Sequence, residues 1–253
     1  MFGSVIAPIF LKELRDVTLV RFRERGYRLY RRGELTLNAV NQILDLVDRA
    51  KKVKNPIGIS LGGRTELIEG TIDDVGPVVV KSYHRGGLLR HLFGSIHTRM
   101  FQTRCRLESN TLAAVQAFGG KVPKPVAYVE EGEFFYFAWL VTEKIEGSKT
   151  LIQYISEHPE QAKEKLEMLS EQIRILIRKK VHHIDLHPGN AVVDNQGAVW
   201  LVDFDRAYQY EGSQNRLRDL YLRRWRRAVI KHRLPEVMNE VVSLALRENF
   251  EDA

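Results

Sequence analysis

The segment that most constrains this chain runs from Val181 to Ala207, VHHIDLHPGNAVVDNQGAVWLVDFDRA, where three polar side chains stand at set intervals among short apolar runs. Asp185, in His183-Ile184-Asp185, is followed five residues later by Asn190, and Asp203 comes thirteen residues after that. Ala191-Val192-Val193-Asp194 and Ala198-Val199-Trp200-Leu201-Val202 are joined by Asn195-Gln196-Gly197, a composition that predicts two antiparallel strands and a tight turn. Such a hairpin swings Asp203 back beside Asn190. Taken singly, Asp185 and Asn190 read as well as turn formers, and Asp203 as a strand-end residue. Only the joint spacing asks for a site.

The set has the parts that transfer of a γ-phosphoryl group requires. A carboxylate must accept the acceptor hydroxyl's proton, and an amide oxygen with a second carboxylate must hold Mg²⁺ against the phosphates of ATP. On this reading Asp185 is the base, with Asn190 and Asp203 the metal ligands. The same chemistry wants a lysine on the α- and β-phosphates. Val78-Val79-Val80 reads as a strand closing on Lys81, eighteen residues beyond Gly63, a position that also reads as a solvated edge residue. Gly62 and Gly63 interrupt an earlier apolar run, and the amides of such a turn can approach phosphates closely, although an ordinary hairpin turn reads the same. A helix is predicted over Arg106 to Phe118, stopped by Gly119-Gly120. Glu108 opens it and is the only acid between Asp74 and Gly120. It is therefore the candidate partner of Lys81, the alternative being that it complements the helix dipole.

The rest of the chain sets limits. At 253 residues, 44% of them hydrophobic, there is enough apolar material for one large or two modest domains. The net charge of +7 favours an acidic partner such as a nucleotide, an anionic lipid or nucleic acid. A single cysteine, Cys105, excludes an internal disulfide framework and a cysteine-built zinc site, and suits a reducing cytosol. Phe2 to Leu11 is too short, and too interrupted by Pro8, for a signal peptide or a membrane span. No other stretch approaches bilayer length, so membrane association is expected to be peripheral.

Val17 to Leu29 reads as a strand pair or a helix, and Leu37 to Ala50 as a helix. Val126 to Val129 and Phe134 to Val141 are strand candidates, and Leu151 to Ile155 and Ala162 to Ile177 are helical. In the tail, Leu217, Leu220, Tyr221, Trp225 and Val229 form one helical stripe, with arginines and lysines on the other faces. That helix either lies on an anionic bilayer with Trp225 at the interface or packs its stripe inward.

With Lys81, Glu108, Asp185, Asn190 and Asp203 placed, the chain resembles the protein-kinase-like superfamily. Within it the chain is similar to the lipopolysaccharide kinases, particularly those acting on Kdo, 3-deoxy-D-manno-octulosonic acid. Three segments carry the likeness: Tyr83-His84-Arg85-Gly86-Gly87-Leu88-Leu89-Arg90, Leu140-Val141-Thr142-Glu143-Lys144-Ile145, and Trp200-Leu201-Val202-Asp203-Phe204-Asp205-Arg206. It spans roughly residues 57 to 230, and Asp185-Leu186-His187-Pro188-Gly189-Asn190 looks more like the aminoglycoside and choline phosphotransferases.

The resemblance implies an α+β, two-lobed protein-kinase-like fold with a mostly β small lobe and a mostly helical large lobe. Residues 1–55 would be an N-terminal extension packing on the small lobe, 56–141 the small lobe, and 142–253 the large lobe with basic C-terminal helices. It also implies an adenine-holding hinge around Glu143, and acceptor contacts from Arg85, Arg90 and Arg206. His187 falls where protein kinases keep a lysine on the transferring phosphate, though a hydrogen-bonded loop histidine reads equally well. The implied reaction uses ATP and Mg²⁺ to phosphorylate the 4-hydroxyl of Kdo on the lipid A precursor, at the cytoplasmic face of the inner membrane.

The only acid-free stretch of such length, between Asp74 and Glu108, carries Lys81, Arg85, Arg90, Arg99, Arg104 and Arg106, a surface suited to an anionic acceptor or simply to solvent. Asp205 stands where protein kinases have the glycine of D-F-G, and no A-P-E follows, so a peptide-binding platform is not expected. No RNA-recognition motif is present, and nucleic acid is not an expected partner. Two alternatives stay open: another acceptor, whether a heptose, a small molecule or a RIO-type protein serine, and a catalytically silent basic adaptor.

Overall fold

A computed structural model describes residues 19–52, 67–83, 97–98, 103–132 and 135–248. Gly62, Gly63, Arg85 and Arg90 lie outside them. The chain divides into two compact units, one formed by the described parts of Leu14–Ala113 with Pro123–Lys144, the other by Ala114–Val122 with the chain from Ile145 onward.

The first unit is built on an antiparallel sheet. Its strands are β1 (Leu19–Glu24), β2 (Tyr27–Arg32), β3 (Leu67–Ile72), β4 (Gly76–Ser82), β6 (Pro125–Glu131) and β7 (Phe135–Glu143), in the order β1-β2-β6-β7-β4-β3, with the short β5 (His97–Thr98) added on β7. The segment that read as a strand pair or a helix is a hairpin, turned at Arg25-Gly26 with φ of 51° and 80° and in register Glu24↔Tyr27. Its β2 joins β6 from Tyr27↔Glu131 to Arg31↔Ala127, so residues 19–32 extend the same sheet as Lys81's strand. Helix α1 (Leu37–Lys52) buries Ala39, Val40, Ile43, Leu44, Leu46, Val47 and Ala50 at the three- and four-residue spacing of one helical face. Leu37, outside that stripe, is exposed. Thr36 Oγ1 accepts the Ala39 amide at its start, and Arg49, Lys51 and Lys52 close it against the negative end of the dipole. The helix lies so close to β3 that a Cβ on Gly70 would fall 2.3 Å from Leu46 Cδ2. Val78, Val80, Val129, Trp139 and Val141 complete this core.

Helix α2 (Arg104–Ala117) starts two residues before the expected position and ends at Gly119, where φ of 85° lets Gly120 donate back to Val115 O at 2.9 Å. Glu108 is therefore its fifth residue rather than its opening one.

In the second unit, α3 (Leu151–Glu157) is entered through a capping box between Thr150 and Gln153, and α4 (Ala162–Arg178) buries Leu166, Leu169, Ile173, Leu176 and Ile177. The predicted hairpin is present as β10 (Ala191–Val193) and β11 (Val199–Leu201), in register Ala191↔Leu201, with β8 (Lys149–Thr150) on its other edge. Strands β9 (Val181–His182) and β12 (Tyr208–Gln209) pair to bracket the whole segment. The basic tail is α5 (Gln214–Lys231), followed by α6 (Val237–Glu248). Leu217, Tyr221, Trp225 and Val229 are buried, and Trp225 Nε1 donates to Met238 O at 2.8 Å. The stripe thus packs inward and Trp225, 1% exposed, is not an interfacial residue. No helix among the described residues is long and apolar enough to cross a membrane.

Candidate active site

In the first unit, alternation along β4 buries Val78 and Val80 and turns Lys81 to the opposite face. Lys81 Nζ lies 3.0 and 2.9 Å from the two carboxylate oxygens of Glu108. Glu108 is buried, and its Oε2 also accepts the hydroxyl of buried Tyr83. Burial next to this carboxylate pushes the Tyr83 hydroxyl far above its ordinary pKa, so it remains a donor. Two donors from one strand end thus hold the Glu108 head in place. Tyr83 was legible only as a motif residue, because nothing in its spacing says which way the chain turns after β4. At the end of β7, Glu143 pairs through its carboxylate with Lys124 Nζ at 2.6 Å, while its amide donates to Lys124 O and that of Lys144 to Pro77 O, each at 2.9 Å.

The second unit assembles the remaining candidates on one loop and hairpin. Tyr221 of α5 donates to Val181 O at 2.6 Å and accepts the His183 amide at 2.8 Å, anchoring the loop where it leaves β9. His183 is buried against Phe204, and its Nε2 donates to Val202 O at 3.0 Å. A short 3₁₀ turn, Pro188–Asn190, follows, and Val202 N donates to Asn190 O at 3.0 Å. The hairpin therefore brings the residue before Asp203 onto Asn190. Asn190 Nδ2 donates to Asp185 O at 2.9 Å, so its Oδ1 is the atom that could ligate a cation. Asp203 itself has φ of 64°, a left-handed conformation that costs a side-chain-bearing residue energy and is tolerated best by Asn and Asp.

Asp194 holds the far end of the hairpin, accepting the Gln196 and Ala198 amides at 2.9 and 2.8 Å and the Trp200 indole at 2.8 Å. Burial would raise its pKa, but these donors outweigh it and keep the carboxyl below its usual range. Asp194 had read as part of an apolar run, its role hidden until the turn is seen.

His187 is nearly buried and accepts the Gly189 amide on Nδ1 at 3.0 Å. Burial, with Arg224 and His183 nearby, lowers its pKa to about 4, so it carries no charge near neutral pH. Asp185, by contrast, is 37% exposed, with Arg224 Nη2 3.4 Å from one carboxylate oxygen and Arg206 Nη1 3.7 Å from the other. Arg224 had been one basic residue among many on the tail helix; only the packing of α5 brings it here.

These residues can do definite chemistry. Asp185 presents a partly exposed carboxylate, able to take a proton, beside two guanidiniums able to bind an oxyanion. No cluster of three or more His, Cys, Asp or Glu side chains suited to a metal occurs among the described residues. A Mg²⁺ carried on nucleotide phosphates asks a protein for only one or two oxygens, and Asn190 Oδ1 with the Asp203 carboxylate fits that demand.

Comparison with known proteins identifies the class: the chain is a phosphotransferase of the kinase type. It belongs to the lipopolysaccharide kinase (Kdo/WaaP) family, whose model matches residues 60–238. A 3-deoxy-D-manno-octulosonic acid kinase of Photobacterium profundum is 31% identical over 170 residues, 65% of this chain and 70% of that protein. Proteins of the same name from Vibrio cholerae and Xylella fastidiosa are 31% and 30% identical over 132 and 158 residues. Those matches take in 51% and 58% of this chain and only 56% and 59% of the relatives' own length.

Proposed function

We propose that this chain is an ATP- and Mg²⁺-dependent kinase that phosphorylates the 4-hydroxyl of a Kdo residue on the lipid A precursor, within a two-lobed kinase architecture. The observation that carries the reading is the joint placement of Asp185, Asn190 and the backbone leading into Asp203 by two hydrogen bonds, Asn190 Nδ2 to Asp185 O and Val202 N to Asn190 O. The family to which the chain belongs and the names of its relatives support the acceptor.

In this reading the acceptor oxygen attacks the γ-phosphorus, the bond to the β,γ-bridging oxygen breaks, and ADP leaves. Asp185 takes the hydroxyl proton. Lys81, oriented by Glu108, neutralises the α- and β-phosphates, and Glu143 lies at the adenine-holding segment. Mg²⁺, held by Asn190 and Asp203, would supply charge neutralisation on the β- and γ-phosphates. His187, being neutral, can donate a hydrogen bond from Nε2 but not a positive charge. Arg206, 62% exposed beside Asp185, is a contact for the acceptor.

The protein would work at the cytoplasmic face of the inner membrane. The outer face of α5, with Arg223, Arg226, Arg227, Lys231 and the 62%-exposed Ile230 on a shallow groove, supports contact with an anionic lipid surface. Nothing in this reading calls for nucleic acid.

Incubation with ATP, Mg²⁺ and Kdo-bearing lipid A precursor should add one phosphate, detected by mass spectrometry. Asp185→Asn should lower turnover by about 10²–10⁴-fold while ATP still binds. Undiminished phosphorylation by that variant would remove Asp185 as the base, and phosphate appearing on a heptose or a protein instead would redirect the acceptor.

A further inference from the structure

The two guanidiniums on Asp185 sit oddly for a structural ion pair. A carboxylate 37% exposed is already solvated and does not need two cations to neutralise it. Charge-assisted bonds that hold a structure together run at about 2.7–2.9 Å and are often bidentate for arginine. Here the distances are longer, 3.4 Å from Arg224 and 3.7 Å from Arg206, and they fall on different oxygens. Arg224 is also incompletely satisfied, its Nε being buried without a hydrogen-bond partner among the described residues. The two side chains come from different elements, Arg206 from the turn before β12 and Arg224 from the middle of α5, so the fold converges them on one carboxylate. A base so placed is hindered, because each guanidinium competes for an oxygen that would receive the hydroxyl's proton.

We propose that Arg224, with Arg206, is the anion-recognising half of the acceptor site. Without acceptor the two guanidiniums rest on Asp185, and an oxyanion on the acceptor sugar, carboxylate or phosphate, draws them off and frees Asp185 to act. The pair thereby selects hydroxyls that have an anionic group nearby and discourages transfer to water or neutral alcohols. This rests on Asp185 being the base, and it adds a role for Arg224 that Arg206's placement alone does not supply.

The test uses the full chain and has two readouts. Calorimetry with free Kdo and with its methyl ester measures anion selection without any turnover. Wild type should favour the acid, and Arg224→Gln should bind it about 10–100-fold more weakly, on the scale of one charge-assisted bond, with little change toward the ester. Arg206→Gln, at an exposed position, should act in the same direction and guards against a folding defect at Arg224. In steady-state transfer, Arg224→Gln should raise the KM for the Kdo-lipid and leave that for ATP within about twofold. Removing the lipid phosphates instead of esterifying the sugar shows which oxyanion is read: the arm whose loss wild type feels and Arg224→Gln does not.

Equal binding of acid, ester and dephosphorylated acceptor by wild type, or undiminished anion preference in both variants, would overturn the proposal. Arginine-dependent selection in calorimetry together with no transfer to Kdo-lipid would uphold it and remove the proposed reaction instead.

Discussion

His187 carries no charge near pH 7 because the loop that shelters it withdraws water and sets Arg224 and His183 close by. Its folded pKa of about 4 lies below the ordinary value of 6.5. Between these values the unfolded chain binds more protons, so the contribution of His187 to stability is complete above about pH 6.5, declines as pH falls and is lost below about 4. The span is about 1–3 kcal/mol. Thermal unfolding from pH 7 to pH 4.5 should therefore show a smaller fall in Tm for His187→Gln than for the unaltered chain. At this scale legibility depended on scarcity. Glu108 was readable as a partner for Lys81 because no other acid lies between Asp74 and Gly120, and the two are paired at 2.9 Å. Arg224 was not readable, being one of many cations on a single helix.

The hairpin of β10 and β11 is the element on which the site depends, since its open end carries Asn190 and Asp203 and its closed end is tied by Asp194. Asp194→Ala removes three hydrogen bonds to one carboxylate. Water can replace part of what the two amides lose, so the expected cost is about 2 kcal/mol, with kcat lowered about tenfold because the open end is no longer held in register. Chemical unfolding and transfer kinetics on the same preparation would check both. A variant with native stability and full activity would show that the hairpin holds itself. The strands themselves were legible from apolar runs flanking Asn195-Gln196-Gly197, since turn chemistry is local. The short β8, β9 and β12 were not, because strands of two residues carry no period and exist only where a distant partner meets them.

For the molecule as a whole, part of the net charge of +7 stands on the outward side of α5, whose inward side is apolar and buried. Replacing Arg223, Arg226, Arg227 and Lys231 together by glutamine should weaken sedimentation with vesicles containing anionic lipid by about 10²–10³-fold, at roughly 1 kcal/mol for each basic residue near the surface with incomplete additivity. Binding to neutral vesicles should barely change. Unaltered partition onto anionic vesicles would remove this face as a membrane contact.

Taken alone, the amino-acid order determined the spacing of Asp185, Asn190 and Asp203, the hairpin between them and the strand that carries Lys81, all of which follow from turn chemistry and period over a few residues. It left open which side of α5 is buried, and it could not say which arginine meets Asp185. Arg224 reaches Asp185 from 39 residues away along the chain, and that meeting is decided by Tyr221 and Trp225 seating the helix in the core, a consequence of packing that no local pattern encodes.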